Sequence, residues 1–277
     1  MSAIDQFSTS RFPRSAAYHP DWVHGSASGG ANSLWLTEWL TSVLDLKPGM
    51  KVLDLGCGRA ASSIFLAREY ELSIWAADLW FSATENLQRV CDAGLEHRVY
   101  PIHADARELP FAAQFFDAIV SIDAIPYFGT DDHYLSYLAR FVKPGGIIAI
   151  ALAGFVEELP DELPDEVPDH LAEWLKAEPS LRSMHSAGWW RRHWERTGIV
   201  DIELADSMPD GWKLWLEWHK TVAPDNHGEM QILEADRGQN LTYNRVVARR
   251  RPDVGLEDPI ISIPANYVRH PLLRADS

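Results

Sequence analysis

Two cysteines, Cys57 and Cys91, in 277 residues leave no disulfide framework and no thiols at zinc-ligand spacing. A reducing compartment fits that scarcity. Apolar residues never run to the ~20 needed to cross a bilayer, and the mixed, polar stretch Met1 to His19 lacks the apolar centre of a secretory signal. The expectation is a cytoplasmic protein without integral membrane association. Positive charge is also in deficit, with 25 Lys and Arg against 40 Asp and Glu and a net charge of −15. That balance argues against nucleic acid and against an anionic membrane surface as partners. No repeat is visible, and the one biased tract, EELPDELPDEVPD from Glu157 to Asp169, reads as a solvated acidic connector. Nothing here fixes an oligomeric state.

What the chain does have is KVLDLGCGRAASS, Lys51 to Ser63. Val52, Leu53 and Leu55 read as a buried parallel strand, while Gly56 and Gly58 allow a sharp turn that opens main-chain amides to a ligand. Ala60 to Arg68 reads as the helix that follows. A second strand, Leu72 to Ala77, ends at Asp78, about 20 residues past Gly58, the spacing of a ribose-binding acid. A third, Val99 to His103, leads to Asp105, and a fourth, FDAIVSIDA from Phe116 to Ala124, carries Asp123 at its end. In a doubly wound sheet ligands bind beyond the carboxyl ends of the strands, so Asp54, Asp78, Asp105 and Asp123 are expected to converge on one crevice. Asp54, inside an apolar run, equally suits a structural carboxylate bracing the glycine turn. Asp105 can instead cap a short helical turn. Cys57, with no base beside it, reads as packing rather than as a nucleophile.

From Lys51 to Leu152 the chain resembles the class I S-adenosylmethionine-dependent methyltransferases. VLDLGCG stands as the glycine motif, AADL contains Asp78, HADARELPF surrounds Asp105, FDAIVSIDAI precedes the fourth-strand loop, and LARFVKPGGIIAI leads into strand five. The resemblance implies a Rossmann-like three-layer α/β sandwich with a mostly parallel seven-stranded sheet. It also implies that S-adenosylmethionine is the cofactor and S-adenosylhomocysteine the product. Asp54, Gly56, Cys57 and Gly58 would then face the methionine part, Asp78 and Leu79 the ribose end, and Asp105 and Ala106 the adenine. Asp123 and the loop Ile125 to Phe128, with Tyr127, would face both cofactor and acceptor. No metal is implied.

The flanks are expected to carry the acceptor specificity. Ser33 to Leu44 has helical apolar spacing, and YHPDWVHG, Tyr18 to Gly25, reads as an aromatic loop that can fold as a lid with Tyr18 and Trp22 toward substrate. Seven of the twelve tryptophans, Trp174, Trp189, Trp190, Trp194, Trp212, Trp215 and Trp218, fall in helical stretches and suggest an aromatic cap. Trp189 and Trp190 are the candidates there for holding a small-molecule acceptor, a flat ring or a cationic amine. His24, beside the glycine-rich SASGGAN, is the candidate base. Val200 to Leu204 and Leu241 to Arg249 supply antiparallel strands at one sheet edge. The expected organisation is an arm and lid (1–45), a cofactor core (46–153), an acidic connector with the Trp-rich cap (154–222), the end of the sheet (223–251) and a surface tail (252–277). Methyl transfer to a nitrogen, oxygen or carbon nucleophile is the leading activity. A nicotinamide-dependent oxidoreductase, suggested by GCGRAA, and a non-catalytic binding protein are the alternatives.

Overall fold

Alternation along the first strand decides how the layers assemble. In β1 (Lys51–Leu55) Val52 packs into one apolar cluster while Leu53 and Leu55 pack into another, so the two sheet faces bury separate cores. The computed structural model describes residues 3–160 and 167–256. Within them β2 (Ser73–Asp78), β3 (Val99–His103), β4 (Phe116–Ile122), β5 (Val142–Phe155), β6 (Val200–Ser207) and β7 (Leu241–Arg250) complete a seven-stranded sheet. Its order is β3-β2-β1-β4-β5-β7-β6. The pairs among β1 to β5 are parallel, whereas β7 runs antiparallel to both β5 and β6. The expected three-layer α/β sandwich with an antiparallel edge is therefore present. The second half of the sheet keeps parallel β4 and β5, but where a dinucleotide-binding sheet adds a last parallel strand this one carries the antiparallel β7-β6 ribbon.

The N-terminal arm comprises α1 (Ala3–Arg11), α2 (Pro20–Gly25) and α3 (Ser33–Thr41). The lid sequence expected as a loop is largely helical. Pro20 occupies the first turn of α2, where its missing N–H costs nothing, and the His19 ring accepts from the Asp21 amide at 3.2 Å. Helix α3 begins where Asn32 Oδ1 accepts from the Leu34 and Trp35 amides. It packs on the first face together with α4 (Ala61–Tyr70) and α5 (Ala83–Asp92). On the other face lie α6 (Tyr134–Leu138) and α8 (Ala187–Glu195), while α7 (Asp169–Ala177), α9 (Gly211–Val222) and α10 (His227–Asp236) return to the first.

That return divides the tryptophans. Strand β6 separates α8 from α9, so Trp189, Trp190 and Trp194 belong to one face of the sheet and Trp174, Trp212 and Trp215 to the opposite one. They are two groups rather than one cap. The first group packs at the sheet edge against β6, and the second meets β7 where Trp215 stacks on Tyr243 at 5.5 Å. Arg245 is paired bidentately with Asp206, donates to the Trp39 carbonyl, and lies 4.4 Å from the Trp39 ring centroid. The centre of the acidic connector (161–166) and the tail beyond residue 256 lie outside the described residues. Among the described residues no helix is long and apolar enough to cross a membrane.

Candidate active site

The turn after β1 is built around two left-handed glycines. Gly56 has φ +74° and Gly58 φ +55°, and a Cβ at either would overlap its neighbour, Ala124 in one case and Ser28 in the other. Only glycine fits both the backbone and the space. The Gly56 and Cys57 amides donate to the Ala77 carbonyl at 2.8 and 3.1 Å, which folds the turn back over the end of β2. Asp78 then closes the structure. Its Oδ2 accepts from the Gly58 amide at 2.8 Å, and its Oδ1 accepts from the Trp80 and Phe81 amides at 2.7 and 2.9 Å. One carboxylate thus holds two loop backbones at a strand end, and one lone-pair site on Oδ2 stays available to a ligand hydroxyl.

These loops surround a cavity of about 370 Å³ at the carboxyl ends of the parallel strands. Gly56, Cys57, Gly58, Asp78, Leu79, Asp105, Ala106 and Asp123 all line it, as does Tyr127. Asp54 is the exception. Fully buried under α4, it accepts from the Ser62 and Ser63 hydroxyls, both at 2.6 Å on Oδ2, so it braces the helix instead of facing the cavity. Burial pushes its carboxyl up to about 6 against the two serine bonds.

A raised carboxyl is a stability statement. Between the unfolded value near 3.8 and about 6 the native state holds a proton that the unfolded chain has lost, so stability falls as pH rises through that window and is flat above it. We expect Asp54→Asn to abolish this slope. At pH 7 the relief of about 2–3 kcal/mol is offset by about 1–3 kcal/mol for an amide placed at the unpartnered Oδ1 position. Urea unfolding from pH 4 to 8 reads it directly, and parallel wild-type and variant curves would contradict it.

The other acids sit differently. Asp105 is gripped by its neighbour: Arg107 Nε and Nη2 and the Arg107 amide donate to it at 2.9, 2.6 and 2.9 Å, which holds its carboxyl down at about 2. Asp123, at φ +53°, stitches the arm to the sheet, accepting from the Ala31 amide at 2.8 Å and the Ala153 amide at 3.0 Å. Burial raises its proton affinity. Burial, and then the charges of Asp54 and Asp78, push the Cys57 thiol well up, consistent with packing rather than nucleophilic chemistry.

A second chamber of about 890 Å³ adjoins the first and shares Gly30, Asp123 and Tyr127 with it. Its remaining wall comes from α7, α9, α10 and Leu181 to Met184. Tyr127 is two-thirds exposed, and its ring meets Trp80 edge-on at 4.9 Å across the mouth of the first cavity.

Several expected residues are elsewhere. His24 does not reach the cavity. It lies outside the arm with its ring 5.9 Å from Trp218, in a separate depression that Tyr18 also lines, because α2 turns it away from the glycine-rich stretch. Tyr18 packs on Trp22 and Phe65 and donates to Glu69 at 3.1 Å, so both Tyr18 and Trp22 serve to seat the arm on α4. Trp189 is stacked between His185 at 3.6 Å and His193 at 4.4 Å, and Trp190 is completely buried under the other sheet face. Neither lines a chamber beside the cavity, since α8 packs against β6, away from the strand ends.

Sequence reasoning missed Ser28, whose hydroxyl accepts from the Arg59 amide at 2.8 Å and closes the arm over the glycine turn. It also missed Glu229, which accepts from Trp215 Nε1 at 2.9 Å and stands 3.1 Å from His219 Nε2. The paired glycines of SASGGAN were a signal for the first. No local pattern marks the second.

The sequence family described as Methyltransferase domain matches residues 52–146. Methyltransferase GfsG of Streptomyces halstedii is 38% identical over 117 residues, covering 42% of this chain and 42% of that protein. The 27-O-demethylrifamycin SV methyltransferase of Amycolatopsis mediterranei is 28% identical and is matched over 49% of its length, so the chain spans about half the length of these relatives. The demethylmenaquinone methyltransferase of a Mycobacterium species (strain JLS) is 30% identical over 221 residues, covering 68% of this chain and 89% of that enzyme. In structure, the chain resembles a putative sarcosine dimethylglycine methyltransferase from Galdieria sulphuraria, with a TM-score of 0.64 at 22% identity over 80% of this chain and 87% of that one. At that identity the likeness concerns the fold. Glycine turn, sheet order and a relative matched over most of its length agree: the chain belongs to the class I S-adenosylmethionine-dependent methyltransferase family.

Proposed function

We propose that this protein binds S-adenosylmethionine in the glycine-turn cavity and transfers its methyl group to a small-molecule acceptor held in the adjoining chamber. The observation that carries this reading is the shared wall: Gly30, Asp123 and Tyr127 belong to both spaces, so two ligands would meet there. The cavity suits the cofactor chemically. Side-chain-free Gly56 and Gly58 leave room for the methionine part against main-chain amides, and Asp78 Oδ2 keeps a lone-pair site for a ribose hydroxyl. Leu79 and Ala106 offer apolar surface to the adenine. When bound, the cofactor supplies an electrophilic methyl on a positively charged sulfur.

What remains for the chain is alignment and dryness. Ser28, held on the Arg59 amide, and Ala31, held on Asp123, keep the arm closed over the glycine turn and exclude water. Asp123, half-buried and raised in proton affinity, stands at the wall where an acceptor proton would be shed. In this reading residues 46–153 bind the cofactor and α7, α9 and α10 select the acceptor. Calorimetry with S-adenosylhomocysteine, with NAD as the comparison ligand, tests the proposal. Saturable one-site binding of S-adenosylhomocysteine alone is expected, and binding of NAD alone would overturn it.

A further inference from the structure

The second chamber is unusual in its charge. Asp123, Glu173, Glu178 and Glu229 line it, no Lys or Arg does, its one histidine, His170, stands 3.5 Å from the Asp236 carboxylate, and its aromatic wall is formed by Tyr127, Trp174 and Trp215. Glu173 and Glu178 are exposed and have no ion pair among the described residues, whereas Glu229 is deeper and fixed by Trp215, His219 and, at 3.3 Å, Asn226. A second observation comes from behind the wall. Tyr243 is 2% exposed, its hydroxyl has no partner, and its ring stacks on Trp215 at 5.5 Å. That hydroxyl is close enough to Asp123 and Glu229 for both charges, after burial itself, to raise its proton affinity. Tyr243 thus backs the Trp215 ring from outside the chamber and holds that aromatic face in place beside the wall carboxylates.

Resting on the methyltransferase reading, we propose that this chamber takes its acceptor as a small organic cation, an alkylammonium whose charge lies against the Trp174 and Trp215 rings and the Asp123 and Glu229 carboxylates. An aromatic wall with acids stabilises a desolvated cation through ring quadrupoles and ion pairing together. An anionic acceptor would meet four carboxylates and no guanidinium or ammonium to neutralise it. For transfer, the ammonium gives one proton to Asp123. The freed nitrogen lone pair then forms the N–C bond as the methyl–sulfur bond breaks, and the electron pair of that bond stays on sulfur. The products are S-adenosylhomocysteine and an amine one methyl richer that carries the positive charge.

The test is calorimetry on the full chain saturated with S-adenosylhomocysteine, using choline as a trimethylammonium probe and 3,3-dimethyl-1-butanol as its uncharged isostere. Choline is expected to bind saturably and at least tenfold more tightly than the isostere. Trp174→Leu and Glu173→Gln/Glu178→Gln are expected to weaken choline severalfold while leaving S-adenosylhomocysteine affinity unchanged. Isostere binding as tight as choline, no choline binding, or choline binding indifferent to these substitutions would overturn the proposal and leave a neutral acceptor. Failure of S-adenosylhomocysteine to bind in the same cell would instead overturn the methyltransferase reading, whatever choline does.

Discussion

Asp78→Ala is expected to weaken S-adenosylhomocysteine binding by about 1–3 kcal/mol, roughly five- to 150-fold, because it removes the proposed acceptor of a ribose hydroxyl. The same carboxylate accepts from the Gly58, Trp80 and Phe81 amides, so the variant also loosens both loops and lowers stability. Asp78→Asn separates the two effects. It keeps one acceptor oxygen for the loops, so its melting temperature should lie between those of wild type and Asp78→Ala while its affinity remains reduced. Calorimetry with thermal unfolding on both variants decides the matter. Wild-type affinity in folded Asp78→Ala would remove Asp78 from the cofactor site.

Trp190→Ala is expected to cost about 3–5 kcal/mol of stability, the usual penalty for emptying a fully buried aromatic position. In a chain of 277 residues that corresponds to a fall of roughly 5–9 °C in Tm. Trp190→Phe should cost far less, since the Trp190 indole N–H is buried without a partner and phenylalanine removes that unsatisfied donor. Ligand binding by the folded fraction should be unaffected by either change. Loss of acceptor binding at unchanged Tm would return Trp190 to the pocket that the sequence reading gave it.

The tryptophans mark where local reasoning ends. Helical spacing is visible for Trp190 and Trp194 and for Trp212, Trp215 and Trp218, and each set does lie on a helix. Which sheet face a helix covers depends on the crossover between α8, β6 and α9, and no window of sequence contains that information. His24 fails for a similar reason. Its neighbours His19 and Pro20 start a helix, and that short helix points the imidazole outward.

By itself the sequence determined the parallel core and the cofactor crevice, because strands β1 to β4 each announce themselves by an apolar run ending in glycine or an acid. Gly56, Gly58, Asp78, Asp105 and Asp123 accordingly stand on one cavity. Tertiary structure alone decided that Asp54 braces α4, that Asp123 joins the arm to β5, and that Glu229, paired with His219, lines a chamber assembled from α7, α9 and α10. The division has a physical cause. A strand-to-helix turn is specified by residues a few positions apart, through backbone conformations that only glycine tolerates and amides that only an adjacent acid reaches. A pocket wall is specified by side chains a hundred residues apart, whose proximity exists only after both faces of the sheet have been covered.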